Sequence, residues 1–358
     1  MVTVAVSMLK SGERLTEEVR TSLGSVLIEK GRSLSARDLE VLKAFMVKYV
    51  SIEGKAEDKE KTENADDATG PNVVPNEAAQ FYEAYDAFYQ QLKKAFRVVG
   101  SGSDTLPVME LRTHLEKVLG LIDYYNPLTF SPKRTTTDDY LLHNSILVGL
   151  TSFLLARWQG LPQKDWIPAA FAGILHDIGN LRVDDAILNK PSKLTSAEFE
   201  ELKKHTIIGY NILKNIPGLN EGVKLSALQH HERHDGSGYP LGVKGDKIHP
   251  YAKLIAVTDV FHAMTTSRQY KKASSPYLVL EELMKEAFGR LEPALVQTFI
   301  QRVTQFHNGT IVRLNDGSVA EIVFTDRNNP TRPMVSVNGK IINLAMERQF
   351  FIQDVIAN

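Results

Sequence analysis

Apolar residues recur along this chain with two different periods, and the change of period divides it. Near the start Val2, Val4 and Val6 alternate with Thr3, Ala5 and Ser7, the spacing of a half-buried strand. Ser35-Ala36-Arg37-Asp38 then opens a helical spacing through Leu39, Leu42 and Phe45, so residues 1–54 form a small α/β module. Residues 55–77 are dense in Glu, Asp and Lys, carry Gly70-Pro71 and lack aromatics, the composition of a solvated linker. Over residues 78–125 the spacing is helical again, through Phe81, Tyr85, Phe88, Leu92 and Phe96, then Met109, Leu115 and Leu119. It stays helical through residues 126–307, where Ile146, Leu150 and Leu154 make one stripe. The tail differs. Asn315-Asp316-Gly317 and Val337-Asn338-Gly339 each lie between short β-branched runs, a hairpin signal, so residues 308–358 form a small β module. The fold class is mainly α, with small N-terminal α/β and C-terminal β modules.

Composition narrows the function classes. A chain of 358 residues accommodates two or three domains. Its formal net charge of −1 carries no global attraction for nucleic acid or an anionic membrane, so any polyanion site is built locally. The count of zero cysteines excludes disulfides, thiolate zinc sites and cysteine nucleophiles. Met1 to Lys10 lacks the basic flank of a secretory signal, and the apolar stretch Trp166–Leu175 is too short to span a bilayer. The expectation is a cytoplasmic protein with no membrane segment and no nucleic-acid polymer as partner.

The chemistry concentrates in the long helical region. Asp139 and His143 are four apart, so both side chains leave one face of a helix. His176-Asp177 follow the apolar run Ala169, Phe171, Ile174 and Leu175, at the end of a buried helix. His205 sits on a further helix whose apolar face is Ile208 and Ile212. His230 and His231 are adjacent, and neighbours on a helix diverge by about 100°, so the pair can face two different ions. Asp259 interrupts the apolar run Leu254, Ile255, Val257 and Val260. Any one of these residues alone reads equally well as a hydrogen-bonded core residue or a helix cap. Together they supply imidazole and carboxylate donors without thiolate, a set that suits iron, manganese or zinc. Paired ions bridged by a carboxylate can hold a hydroxide for in-line attack on phosphorus.

These residues resemble the HD-GYP phosphodiesterase family. His176-Asp177-Ile178-Gly179 resembles the HD signature, and His230-His231-Glu232 with Asp235-Gly236-Ser237-Gly238-Tyr239-Pro240 resembles the HHE…DGxGYP signature. Asp259-Val260-Phe261, Ala263-Met264-Thr265 and Arg268-Gln269-Tyr270-Lys271 resemble its DxxxAxT…RxYxK segment, in the family's order across residues 135–305. The resemblance implies an HD-type helical bundle that hydrolyses cyclic di-GMP to pGpG or onward to GMP, with two or three divalent ions, commonly iron or manganese. It makes His143, His176, Asp177, His205, His230, His231 and Asp259 ligands, with Asp177 bridging and acting in catalysis. Asp139 falls where members with a third ion carry glutamate. Arg268 and Lys271 match residues that grip the substrate phosphates, and Gly238, Tyr239 and Pro240 belong to a loop associated with ligand and partner contacts. A homodimer and a signalling partner at that loop are further expectations.

One departure matters for turnover. The family usually has lysine where this chain has Asn180, which can donate a hydrogen bond but brings neither charge nor a transferable proton. His262 stands where many members have aspartate, and a packing or supporting hydrogen-bond role is expected there; His234 and His249 are candidates for supplying a proton. Three readings follow: a cyclic di-GMP phosphodiesterase using a metal-bridged hydroxide, a slow or inactive cyclic di-GMP-binding signalling module, and an HD-type hydrolase of another nucleotide. The GYP loop disfavours the third.

Overall fold

The computed structural model describes residues 2–6, 9–20, 26–45, 47, 49–53, 77–132, 139–266, 274–305 and 309–357. The linker expected at 55–77 falls, save for Glu77, outside these residues, as do Arg268 and Lys271.

The chain separates into two compact units, one of residues 1–75 with 305–358 and one of residues 76–304. In the first, β1 (Val2–Ala5), β2 (Val19–Arg20), β3 (Val26–Ile28), α1 (Ala36–Ala44) and β4 (Tyr49–Ile52) are joined by β5 (Ile311–Leu314), β6 (Val319–Phe324), β7 (Met334–Val337), β8 (Lys340–Asn343) and β9 (Ile352–Ala357). β1 pairs antiparallel with β4, β2 with β3, and the C-terminal strands form a sheet in the order β8-β7-β6-β5-β9. Both expected hairpins are present, and their turns need the left-handed backbone: Gly317 has φ of 85°, Asn338 50° and Gly339 80°. The sequence treats the two ends of the chain as separate modules. The structure groups them, because Ile311 joins the same buried cluster as Val6, Leu15, Leu27 and Leu42. Neither segment alone has enough apolar surface for a core.

The second unit is helical: α2 (Glu77–Gly100), α3 (Val108–Leu119), α4 (Tyr140–Trp158), α5 (Gln163–Leu175), α6 (Asp185–Leu188), α7 (Ser196–Lys203), α8 (His205–Leu213), α9 (Glu221–Gln229), α10 (Pro250–Thr265), α11 (Pro276–Glu286) and α12 (Pro293–Val303). Three of these, α10 to α12, begin with proline at a position where its missing N–H costs nothing. The helical spacing over 78–125 breaks at Gly102, whose φ is 102°, and at Pro107 before α3, so one expected stretch is two helices. Met109, counted in the apolar stripe, lies on the outer side of α3 and is 74% exposed. Helix α2 buries Phe81, Tyr85, Phe88, Leu92 and Phe96 into one core with α4, α5 and α10.

The centre of the unit is α4, buried from Leu142 through Ala156, as expected of a helix apolar on every side. It meets α5 backbone to backbone. A methyl group on Gly173 would stand 2.7 Å from the Gly149 Cα, so only glycines permit this approach. The short Gln159–Pro162 connection folds α5 back on α4, with Gly173 near the end of α5 against Gly149 in the middle of α4. Directly after α5, the 3-10 turn Ile178–Arg182 lies against α8: a methyl group on Gly179 would collide with the His205 carbonyl oxygen. Two tight crossings thus draw α4, α5 and α8 together. Among the described residues no helix is long and apolar enough to cross a membrane.

Candidate metal centre

His176 caps the C-terminal end of α5, is fully buried, and its Nδ1 lies 2.7 Å from the Gly173 carbonyl oxygen. His205 opens α8 with Nδ1 2.7 Å from the Leu202 oxygen, and His230 ends α9 with Nδ1 3.0 Å from the Ser226 oxygen. A carbonyl oxygen only accepts, so each Nδ1 carries the proton and donates it. In the neutral ring each Nε2 is then a bare lone pair. Three rings are oriented by backbone carbonyls three or four residues before them, and all three Nε2 atoms face one carboxylate. His176 Nε2 is 3.3 Å from Asp177 Oδ2, while His205 and His230 Nε2 stand 3.3 and 3.5 Å from Asp177 Oδ1. The Nε2 atoms of His205 and His230 are themselves 3.3 Å apart.

Lone pairs and a carboxylate facing one another at such distances repel unless a positive charge lies among them. His176 Nε2 makes this explicit: it is buried, has no hydrogen-bond partner, and also faces Asp259 Oδ1 at 3.4 Å. Among the described residues the candidate donor atoms fall into two groups, each within 4.8 Å: Asp177, His205, His230 and His231, and His176, Asp177 and Asp259. Asp177 belongs to both. The donors fit divalent cations, with the outer ring nitrogens already held by carbonyls as such sites require.

Electrostatics follow the same logic. Burial opposes ionisation of Asp177, but the adjacent His176 outweighs it and holds the carboxyl well below its ordinary range. Asp259 is lowered against burial in the same way, chiefly by the facing His176 ring. Burial works against a charged His176 too, yet the Asp177 and Asp259 carboxylates raise its pKa well above the ordinary value. Desolvation, with His230 adjacent, pushes the half-buried His231 well below the ordinary imidazole range, and burial lowers His205 as well. The His205 and His231 rings are therefore neutral near pH 7 and available as donors, whereas the two carboxylates beside His176 favour its protonated form.

His230 and His231 do not divide between two clusters. Helix α9 ends at Gln229, so the helical divergence does not apply to them, and their ring centroids are 4.1 Å apart within one group. His143 lies outside both groups. Its Nδ1 is 2.9 Å from the Tyr85 hydroxyl, and its ring stacks on Tyr89 at 4.7 Å. Asp139 also lies outside them, with Oδ1 2.7 Å from the Lys93 ammonium, which in turn contacts the Tyr89 hydroxyl at 3.0 Å. Residues Tyr85, Tyr89 and Lys93 come from α2, where the sequence carries only a helical stripe. Asn180 follows Asp177 in the 3-10 turn, and its Oδ1 is buried without a hydrogen-bond partner.

The loop after His231 is pinned by Glu232, a buried carboxylate accepting from Leu241 N at 2.7 Å and Val243 N at 3.1 Å. Gly238 passes so close to this turn that a methyl group there would meet the His231 carbonyl oxygen at 2.5 Å. Tyr239 N donates to that same oxygen at 3.2 Å, its ring lies 4.7 Å from the His231 ring, and Pro240 follows, half-buried. His262 is buried with Nε2 2.7 Å from Thr151 Oγ1, the supporting hydrogen bond expected for it. His249 caps α10 by accepting from Tyr251 N, and His234 faces Glu292 at 3.6 Å; neither joins the clusters.

Residues 121–295 match the HD domain family. The chain is 32% identical over 239 residues to the cyclic di-GMP phosphodiesterase PA4108 of Pseudomonas aeruginosa, covering 67% of this chain and 57% of that protein. It is 41% identical over 160 residues to a cyclic di-GMP phosphodiesterase of Thermotoga maritima, covering 43% of this chain and 42% of that one. The chain spans about half the length of the curated relatives it matches. Among solved structures it is similar in fold to Bd1817, an HDG"Y"P protein of Bdellovibrio bacteriovorus, with a TM-score of 0.50 at 14% identity over 83% of this chain and 97% of that one.

Proposed function

We propose that this chain, which carries an HD domain of the HD-GYP kind, is a cytoplasmic metal-dependent phosphodiesterase that opens cyclic di-GMP to pGpG, GMP or both. The observation that carries the reading is the convergence of three Nε2 atoms on Asp177, with every Nδ1 committed to a backbone carbonyl. Such a donor set has little use except to hold cations. Divalent ions, with iron or manganese expected, would polarise the phosphoryl oxygens and lower the pKa of water.

In this reading the chain's own residues do the rest. Asp177, common to both groups, would be a donor to each ion, while the Gly173, Leu202 and Ser226 carbonyls keep each imidazole in the tautomer that leaves Nε2 free to bind. His143 is expected to complete the ligands from α4, positioned by Tyr85. Gly238, Tyr239 and Pro240 border the substrate, and Arg268 with Lys271 would hold its phosphates by bidentate and point-charge contacts. Asp139 is neutralised by Lys93, which favours two ions over three. A homodimer and a signalling partner at the Asp235–Pro240 loop remain part of the proposal from the family resemblance.

Asn180 favours a second reading, a cyclic di-GMP-binding module with slow or no turnover, because its amide donates at Nδ2 but transfers no proton. A single-turnover assay on manganese- and iron-loaded protein separates the two. Cleavage of cyclic di-GMP by either form supports the enzyme; binding without cleavage by both leaves only the module. Asp177→Ala is expected to remove metal and activity together, and full metal content after that change would refute the shared-ligand role.

A further inference from the structure

Beside the metal centre, Phe199 and Lys203, which have no role in the reading above, make a platform with Tyr239. Tyr239 sits against His231 on one side, and on the other the Phe199 ring meets it edge-on with centroids 6.3 Å apart. The Lys203 ammonium lies 4.9 Å from the Phe199 centroid and 5.5 Å from that of Tyr239. Phe199 and Lys203 occupy one face of α7, four residues apart, and Lys203 is two residues before the ligand His205.

Packing does not account for this arrangement. No residue of α7 is fully buried, and Phe199 is 43% exposed, so the ring serves no core. The segment is nevertheless held firmly. Thr195 and Glu198 form a reciprocal cap at its start, and Lys190 binds the Glu198 carboxylate at 2.6 Å. At the far edge, Glu200 holds Lys203 at 2.7 Å. An exposed aromatic ring on a pinned helix, with an ammonium between it and a second ring, offers a π-face and a positive charge to one ligand.

We propose that Phe199, Lys203 and Tyr239 form a nucleobase subsite, in which one base of a dinucleotide stacks on Phe199 while Lys203 contacts the flanking phosphate. A nucleotide with its phosphate at the metal centre carries its base one sugar away, and the platform leads off from the centre through Tyr239, 4.7 Å from the His231 ring, to Phe199, 6.3 Å further. The subsite rests on the phosphodiesterase reading for its substrate class, but stacking is separable from hydrolysis.

The test uses full-length manganese-loaded protein and a hydrolysis-resistant phosphorothioate dinucleotide with 2-aminopurine as one base, whose fluorescence is quenched on stacking. Quenching is expected with the unaltered chain. Phe199→Ala should abolish most of it and weaken binding about tenfold, whereas Phe199→Trp should retain both. Lys203→Met should weaken binding with a reduced dependence on salt. Unchanged metal content in Phe199→Ala verifies that the centre is intact. Equal quenching and affinity in Phe199→Ala, or no binding of the probe by the unaltered chain, overturns the subsite. Phe199-dependent quenching in a protein that does not cleave cyclic di-GMP supports the subsite and refutes the phosphodiesterase reading alone.

Discussion

The Tyr85 hydroxyl lies 2.9 Å from Nδ1 of His143, joining helix α2 to the first turn of α4 across 58 positions of sequence. Where His176, His205 and His230 are oriented by carbonyls of their own segments, His143 is held by a side chain from another helix. Tyr85 is itself buried, and burial raises its pKa well above the ordinary phenol value, so the hydroxyl keeps its proton.

Tyr85→Phe is therefore expected to preserve the fold and loosen His143. Removing an outer partner of a metal-binding histidine commonly costs about 10- to 100-fold in affinity or turnover. Titration with manganese, together with turnover at saturating metal, measures it; values equal to those of the unaltered chain would show that Tyr85 plays no positioning role.

Gly179→Ala addresses how the clusters are assembled. The added methyl group would strike the His205 carbonyl oxygen and come within 2.6 Å of Gly209 N, both backbone atoms that cannot swing aside. We expect a loss of about 3 kcal/mol in urea unfolding and a fall in bound metal, because His205 must retreat from Asp177. Normal stability with full metal content would show that α8 can shift without harm.

Asn180→Lys tests whether this position limits the rate. If the amide stands where a cationic donor belongs, single-turnover cleavage should rise by up to about 10²-fold with little change in metal content. No gain would place the limit elsewhere.

His262 predicts a pH effect on stability. Burial pushes its pKa down to about 3 from the ordinary 6.5. Between those values the unfolded chain takes up a proton that the folded chain refuses, so stability falls as pH drops below about 6.5 and is complete above it. One such proton corresponds to a slope of about 1.4 kcal/mol per pH unit. His262→Gln retains a polar partner for Thr151, and its unfolding free energy should fall less between pH 6.5 and 5, by about 1–2 kcal/mol, than that of the unaltered chain. Parallel pH profiles would contradict this assignment.

Much of the site was legible because its residues come in short, chemically distinctive runs. His176-Asp177 at the end of an apolar helix, His230-His231-Glu232 before a glycine-rich loop, and Asp259 within an apolar run each mark their place from neighbours alone. The separation of His230 and His231 was misjudged because it assumes a helix that ends one residue earlier. Phe199, Lys203, Tyr85 and Lys93 carry no such marking: an exposed phenylalanine or a lysine on an amphipathic helix resembles countless others until its neighbours in space are known.

Periodicity and residue chemistry by themselves determined a helical body, β hairpins at the tail and a histidine–aspartate set suited to divalent ions, since spacing and donor type are local properties. Tertiary structure alone decided how His176, His205 and His230 converge on Asp177, that both chain ends build one core, and that α2 reaches His143 and Asp139. Those facts depend on which backbones pass close enough to touch, at Gly149 with Gly173 and at Gly179 with His205, and such approaches join residues that the linear order keeps apart.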